Sequence, residues 1–321
     1  MNILILLLFI YIPHSYSASQ KLSFLGHSKI TSAAYFEIPL FENLPAPMKR
    51  RMGKIKYAKS VAFYNQKYKK RSFKFDYLSD GLKVKGVLIT PPKFTSAKKY
   101  PLIIYNRGGN REFGKIIFTT RLARFYADKG YVVFASQYRG NDGGEGKEEF
   151  GGADVNDVLN LLDISKSLKF VDNKNTFMIG ASRGGMMTYL ALKKGASVNA
   201  AISLYAPSDL FLSAKNRPEM EQTVYNELIP NMSKSRTFEL KSRSAIFWVD
   251  KINKPLLLLH GDKDLKVSPK HSVLLEAKMK KLDKKVRLKI YKGEKHGISG
   301  KMKDTFHEIH NWLNSHKVLL K

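Results

Sequence analysis

From residue 72 onward the hydrophobic positions fall into short runs that alternate between two periods. Residues 72–78 and 82–90 are rich in aromatic and β-branched side chains. They are separated by Ser79-Asp80-Gly81, which predicts a two-stranded hairpin. Strand-like runs at 101–105, 131–135, 176–179, 200–204, 255–259 and 286–291 then alternate with stretches of helical spacing at 115–129, 155–168, 184–194, 269–282 and from about 303. Unbroken apolar runs such as Leu256-Leu257-Leu258-Leu259 have no polar face, as expected of strands covered on both sides. The pattern predicts an α/β domain over 72–321, with a mostly parallel eight-stranded sheet and helices on both faces. Residues 208–251 interrupt it as a small insertion with two expected helices. Residues 19–71, broken early by Pro39, Pro45 and Pro47 and then basic and helical, read as an N-terminal extension without a core of its own.

Composition narrows the chemistry. With 321 residues, 43% hydrophobic and 26% charged, the chain is long enough for one large core. It has no cysteine, which excludes disulfides, thiol nucleophiles and zinc–thiolate sites. Ile3 to Ile12 form an apolar segment followed by Pro13 and by the small residues Ser15, Ser17, Ala18 and Ser19. This predicts a signal peptide over 1–18 and an exported, periplasmic or secreted product. The formal net charge is +29, and no acid occurs between Asn43 and Phe75. A solvated basic face is the plainer reading of charge so widely dispersed. Contact of residues 49–74 with a polyanion, their lysines interleaved with Tyr57, Phe63, Tyr64 and Tyr68, is the alternative.

The candidate chemistry gathers just past the strands, where an open α/β sheet places its functional groups. Strand 176–179 runs into Gly180-Ala181-Ser182-Arg183-Gly184, a serine between glycines on a strand-to-helix turn. Such a turn lifts the hydroxyl clear of the sheet and closes only over small flanking residues. Strand 255–259 leads to His260-Gly261-Asp262-Lys263-Asp264, and strand 286–291 to Glu294-Lys295-His296-Gly297. Serine, acid and histidine thus appear in the order of the α/β-hydrolase triad. Ser182 is the expected nucleophile and His296 its base. Asp264 is preferred over Asp262, which suits a turn cap. His271 falls within a helix and His260 precedes the acid, so neither is preferred as the base. The expected oxyanion donors are backbone N–H groups, of Arg183 and of Gly108 or Gly109 after strand 101–105.

Taken together, Gly180-Ala181-Ser182-Arg183-Gly184-Gly185, His260-Gly261-x-x-Asp264-x-x-Val267 and His296-Gly297 resemble the prolyl oligopeptidase family of serine peptidases. Tyr138-Arg139-Gly140 with its glycine-rich sequel is similar to a further landmark of that family. The resemblance spans about 72 to the C-terminus and implies Ser182, Asp264 and His296 as triad, acting through an acyl-enzyme on small peptide substrates without a cofactor or metal. A carboxylesterase with the same triad, or a polyanion-binding protein with a vestigial site, are the alternatives. Two departures stand out. Arg107 occupies the position where members acting on short peptides carry a tyrosine or histidine. Those members also carry a large N-terminal propeller, where about fifty residues stand here, so access to the site is expected to depend on the insertion.

Other groupings are weaker. The 140–148 loop lacks the glycine and hydroxyl residue of a P-loop. Asp142, Glu145 and Glu148 lack EF-hand spacing and read as turn-stabilising. His307-Glu308-Ile309-His310 misses the zinc-helix spacing by one residue. Met186 and Met187 read as core beneath the elbow. Glu219 and Glu221 could attract a cationic substrate group, but pairing with neighbouring lysines is the plainer expectation.

Overall fold

The computed structural model describes residues 25–318, apart from 39, 45, 47–48, 51–52 and 118–119. The expected signal peptide therefore lies outside the described residues. The sheet has nine strands rather than the eight expected: β1 Ile30–Tyr35, β2 Ser72–Ser79, β3 Leu82–Ile89, β4 Tyr100–Asn106, β5 Val132–Ser136, β6 Val171–Ala181, β7 Ala200–Leu204, β8 Leu256–Gly261 and β9 Val286–Tyr291. Their order is β1-β2-β3-β5-β4-β6-β7-β8-β9. The first four in that order pair antiparallel, and from β5 to β9 every pairing is parallel. The ninth strand, β1, comes from the N-terminal extension. Its sequence, ITSAAY, is largely exposed and pairs on one side only, so it lacks the apolar pattern that marks the buried strands.

Local chemistry explains the elements that position the site. Asp80 and Gly81 both take positive φ and join β2 to β3 in a two-residue turn, with Ser79 opposite Leu82. β5, β7 and β8 are buried along their whole length because helices cover both faces. On one face lie α3 Asp154–Ser167, α4 Arg183–Lys193 and α7 Lys270–Lys281, which bury Val158, Leu161, Met186, Met187, Leu275 and Met279. On the other lie α1 Lys54–Lys67, α2 Arg121–Asp128 and α8 Met302–Ser315, which bury Tyr64, Tyr126, Ile309 and Trp312. Helix α2 starts six residues later than its periodicity suggests. The Gln137 side chain brackets Ile116, accepting from its N–H and donating to its carbonyl at 2.9 Å each, and holds that stretch as loop.

The basic extension is built differently from a polyanion-stacking surface. Tyr57, Tyr64 and Tyr68 turn inward, leaving Phe63 as the exposed aromatic among the four expected to be interleaved with the lysines. The Asp128 carboxylate draws this segment in, accepting from Tyr68 Oη at 2.6 Å and from Arg71 Nη2 at 2.8 Å, with Lys67 Nζ at 2.9 Å. No helix among the described residues is long and apolar enough to cross a membrane.

The insertion is more helical than expected. It contains α5 Leu210–Asn216, then the short turns Pro218–Met220, Glu221–Tyr225 (a π turn) and Asn226–Leu228, and then α6 Met232–Arg243. His271 anchors its start. Ser208 donates from its N–H to His271 Nδ1 at 3.3 Å and from its hydroxyl to the His271 carbonyl at 2.7 Å. Burial, reinforced by the nearby His260, pushes the His271 imidazole down to about 3. The unfolded chain therefore takes up a proton near pH 6.5 that the folded chain refuses until about pH 3. Stability from this group is complete above that window and is expected to decline as pH falls through it. Urea melts of His271→Asn across the same window should show a flatter pH dependence. An unchanged slope would assign the acid sensitivity elsewhere.

Candidate active site

Strand β6 delivers Ser182 to the first turn of α4 with φ 55° and ψ −126°, a conformation that L-residues avoid unless the surroundings enforce it. The flanking glycines allow it. A Cβ on Gly180 would overlap the Gly184 carbonyl and Thr188 Oγ1, and one on Gly184 would overlap the Asn106 carbonyl. The Ser182 N–H donates to the Leu204 carbonyl at 2.8 Å, and the Ser182 carbonyl accepts from Gly185 at 2.8 Å. The hydroxyl is left free to face the loops.

Two loops meet it. Those following β8 and β9 are laced together, with Lys263 N donating to the Glu294 carbonyl at 2.9 Å and Gly293 N to Asp262 Oδ1 at 2.7 Å. Asp262 is thereby a turn acceptor, while Asp264 faces His296. Asp264 Oδ1 accepts from the N–H groups of Lys266 at 2.8 Å and Val267 at 3.0 Å. Its Oδ2 lies 2.7 Å from His296 Nδ1, and His296 Nε2 lies 3.1 Å from Ser182 Oγ. A carboxylate can only accept from Nδ1, so the proton sits there and the Nε2 lone pair is aimed at the serine. Burial works against ionisation of Asp264, but hydrogen bonds from His260, His296 and the Val267 N–H outweigh it and hold the carboxyl well below its usual range.

His260, not preferred as the base, makes contacts that give it a structural role. Nε2 lies 2.9 Å from the Val267 carbonyl and 3.3 Å from Asp264 Oδ2, while Nδ1 meets Ser272 Oγ at 2.7 Å. With two acceptors before it, Nε2 carries the proton, and the fully buried ring braces the Asp264 loop. Tyr205 is a neighbour that the sequence did not signal. Its ring meets His296 edge-on at 4.7 Å between centroids and limits the tilt of the imidazole.

On the opposite side, Gly108 packs against the elbow. A Cβ there would come within 2.8 Å of the Ala181 carbonyl and 3.2 Å of Ser182 Cβ. The N–H of Arg183, at the start of α4, and those of Gly108 and Gly109 make no hydrogen bond among the described residues. Gly109 sits one residue further out, its φ of +73° bringing it against Phe113. Arg107 is buried, its guanidinium donating to the carbonyls of Gly108, Arg111, Phe113 and Gln137. It cannot lend a side-chain donor to the site.

The remaining candidates have other partners. Glu148 pairs with Arg183, Asp142 with Lys74 and Lys115, and Glu145 accepts from Lys83 N at 2.8 Å. Glu219 and Glu221 pair with Arg217 and Arg236, arginines rather than the expected lysines. His307 and His310 each meet an asparagine one helical turn on. Among the described residues no group of three His, Asp or Glu side chains is arranged to hold a metal ion.

The sequence profile of the prolyl oligopeptidase family matches residues 118–317. The uncharacterized peptidase YtmA of Bacillus subtilis is 36% identical over 222 residues, which cover 69% of this chain and 84% of that protein. The dipeptidyl-peptidase 5 of Porphyromonas gingivalis is 27% identical over 202 residues, 59% of this chain and 29% of that protein. Among solved structures, the acylaminoacyl peptidase of Pyrococcus horikoshii superposes with a TM-score of 0.65 at 23% identity, over 77% of this chain and 42% of that one. The chain thus spans most of one relative and less than half of the other two.

Proposed function

Because this chain belongs to the prolyl oligopeptidase family and is a serine-type peptidase of it, we propose that it cleaves small peptide substrates through an acyl-enzyme on Ser182. The observation that carries this reading is the unbroken line from Asp264 through His296 to Ser182, at 2.7 and 3.1 Å. His296 Nε2 takes the hydroxyl proton as Oγ attacks the substrate carbonyl carbon, and Asp264 stabilises the imidazolium that forms. The tetrahedral oxyanion falls to the N–H groups of Arg183 and of Gly108 or Gly109, at the positive end of α4. Collapse breaks the C–N bond, and the leaving amine departs with the proton held by His296. Water, activated by the same nitrogen, then hydrolyses the ester to release the acid and restore the serine.

The preference for small peptides draws on the relative named as a dipeptidyl-peptidase. A matched panel of amides and esters sharing the same acyl groups, with free and blocked amino termini, tests it. Amide cleavage is expected, and the contrast between free and blocked termini reports whether an amino-terminal group is recognised. Cleavage of esters alone would replace this reading with a carboxylesterase using the same triad.

A further inference from the structure

Arg107 stands where the resemblance places a tyrosine or histidine, and its guanidinium is spent on carbonyls of its own loop and of Gln137. With 1% of its surface exposed, it is among the most buried large side chains of the protein. Nε and Nη2 donate to the Gln137 carbonyl at 3.0 and 2.9 Å, and Nη2 donates also to the Arg111 carbonyl at 2.9 Å. Nη1 donates to the carbonyls of Phe113 at 3.0 Å and Gly108 at 3.3 Å. The Arg183 guanidinium adds a bond from Nη1 to the Gly109 carbonyl at 3.1 Å. Tyr138 Oη donates to the Arg107 carbonyl at 3.1 Å. The carbonyls of residues 107, 108, 109, 111 and 113 are thus all drawn toward two guanidinium groups and one phenol. Both guanidinium groups lie over the Tyr138 ring, at 5.0 and 4.9 Å.

Peptide geometry gives this a consequence. In a planar trans peptide the carbonyl of one residue and the N–H of the next point in opposite directions. Pulling the Arg107 carbonyl inward turns the Gly108 N–H outward, and pulling the Gly108 carbonyl inward does the same for Gly109. Burying two arginines for this purpose is tolerable because two carboxylates accompany them. Arg183 pairs with Glu148 and Asp154, and Arg107 Nη2 lies 3.8 Å from Glu148. Glu148 also accepts from the Arg111 N–H at 2.9 Å and from Asn141 Nδ2 at 2.8 Å, so one carboxylate ties elbow and loop together.

We propose that Arg107, with Arg183 and Tyr138, is a positioning residue for the oxyanion hole, a device that orients its backbone donors. This rests on the reading that Ser182 attacks a carbonyl. The test compares wild type with Arg107→Lys, whose single ammonium cannot serve four carbonyls. Tyr138→Phe is the milder variant, deleting only the hydrogen bond to the Arg107 carbonyl. Arg139→Lys is the control, because Arg139 is a buried fork on Asp157 and Asp80 that touches none of these carbonyls. Labelling rates with a fluorophosphonate and kcat and KM on the best panel substrate are measured per folded molecule, the folded fraction coming from near-ultraviolet circular dichroism.

Arg107→Lys is expected to lose about 10²-fold in kcat, the scale of one oxyanion donor, and Tyr138→Phe roughly tenfold, with KM nearly unmoved in both. Arg139→Lys should lose stability while keeping kcat. Wild-type kcat in folded Arg107→Lys and Tyr138→Phe overturns the proposal. So does an equal loss in Arg139→Lys, which would reveal general loosening. A wild-type protein inert to both probe and substrates would instead sink the underlying hydrolase reading.

Discussion

Ser182→Ala is expected to reduce kcat by about 10⁶-fold, the loss seen when the serine of an intact triad is removed. Several features isolate that effect to chemistry. Alanine keeps the Cβ, so the strained backbone at φ 55° is neither relieved nor worsened. The substitution removes one hydroxyl whose recorded partner is His296. The Ser182 N–H and carbonyl remain bonded to Leu204 and Gly185. The melting midpoint should therefore stay within a few degrees of wild type, since about 1 kcal/mol corresponds to only a few degrees in a chain of this size. Measuring turnover and fluorophosphonate labelling side by side is decisive. Residual turnover within a hundredfold of wild type in a pure preparation would require a different nucleophile.

Asp264→Asn should cost about 10⁴-fold in kcat, because it inverts the histidine tautomer while preserving shape. The direction follows from the two backbone donors. Lys266 and Val267 both point N–H groups at Oδ1, so the asparagine carbonyl must take that place. Its NH₂ group then occupies the former Oδ2 position, opposite His296 Nδ1. Faced by a donor, Nδ1 must give up its proton, which moves to Nε2 and leaves no lone pair for the serine. The same NH₂ group also confronts His260 Nε2, which already bears a proton, so some loss of stability accompanies the loss of rate. Asp262→Asn is the companion measurement. Its carbonyl can still accept from Gly293, and kcat should remain within a few-fold of wild type. A larger loss at position 262 than at 264 would reverse the assignment of the acid.

How much of this was legible beforehand depends on the range of the interaction involved. The elbow was readable because its requirement is steric and local. The small residues at 180 and 184 announce a turn that larger ones would block. Asp264 and His296 were readable because β8 is a fully buried apolar run and β9, at the sheet edge, alternates apolar with basic residues, so the ends of both strands mark the reactive edge of the sheet. β1 was not readable, since an exposed edge strand has little hydrophobic pattern to show. The late start of α2 depends on Gln137, twenty-one residues from Ile116, and no local signal records that bond. The inward turn of Arg107 was hidden for the same reason, because the carbonyls it serves become neighbours only when the 107–113 loop closes over Gln137. Long-range polar bonds leave no periodicity in a sequence.

The separation of 114 positions between Ser182 and His296 bears on the history of each newly made molecule. Synthesis runs from the amino terminus, and the elbow exists as sequence long before its base does. A chain still on the ribosome can place β6 beside β4, yet it holds a serine with no proton acceptor until the final strand emerges and docks along β8. A fragment clipped before β9 would keep most of the sheet and no reactivity. On the proposed mechanism, hydrolytic competence therefore requires the last strand of the sheet and cannot precede its docking along β8.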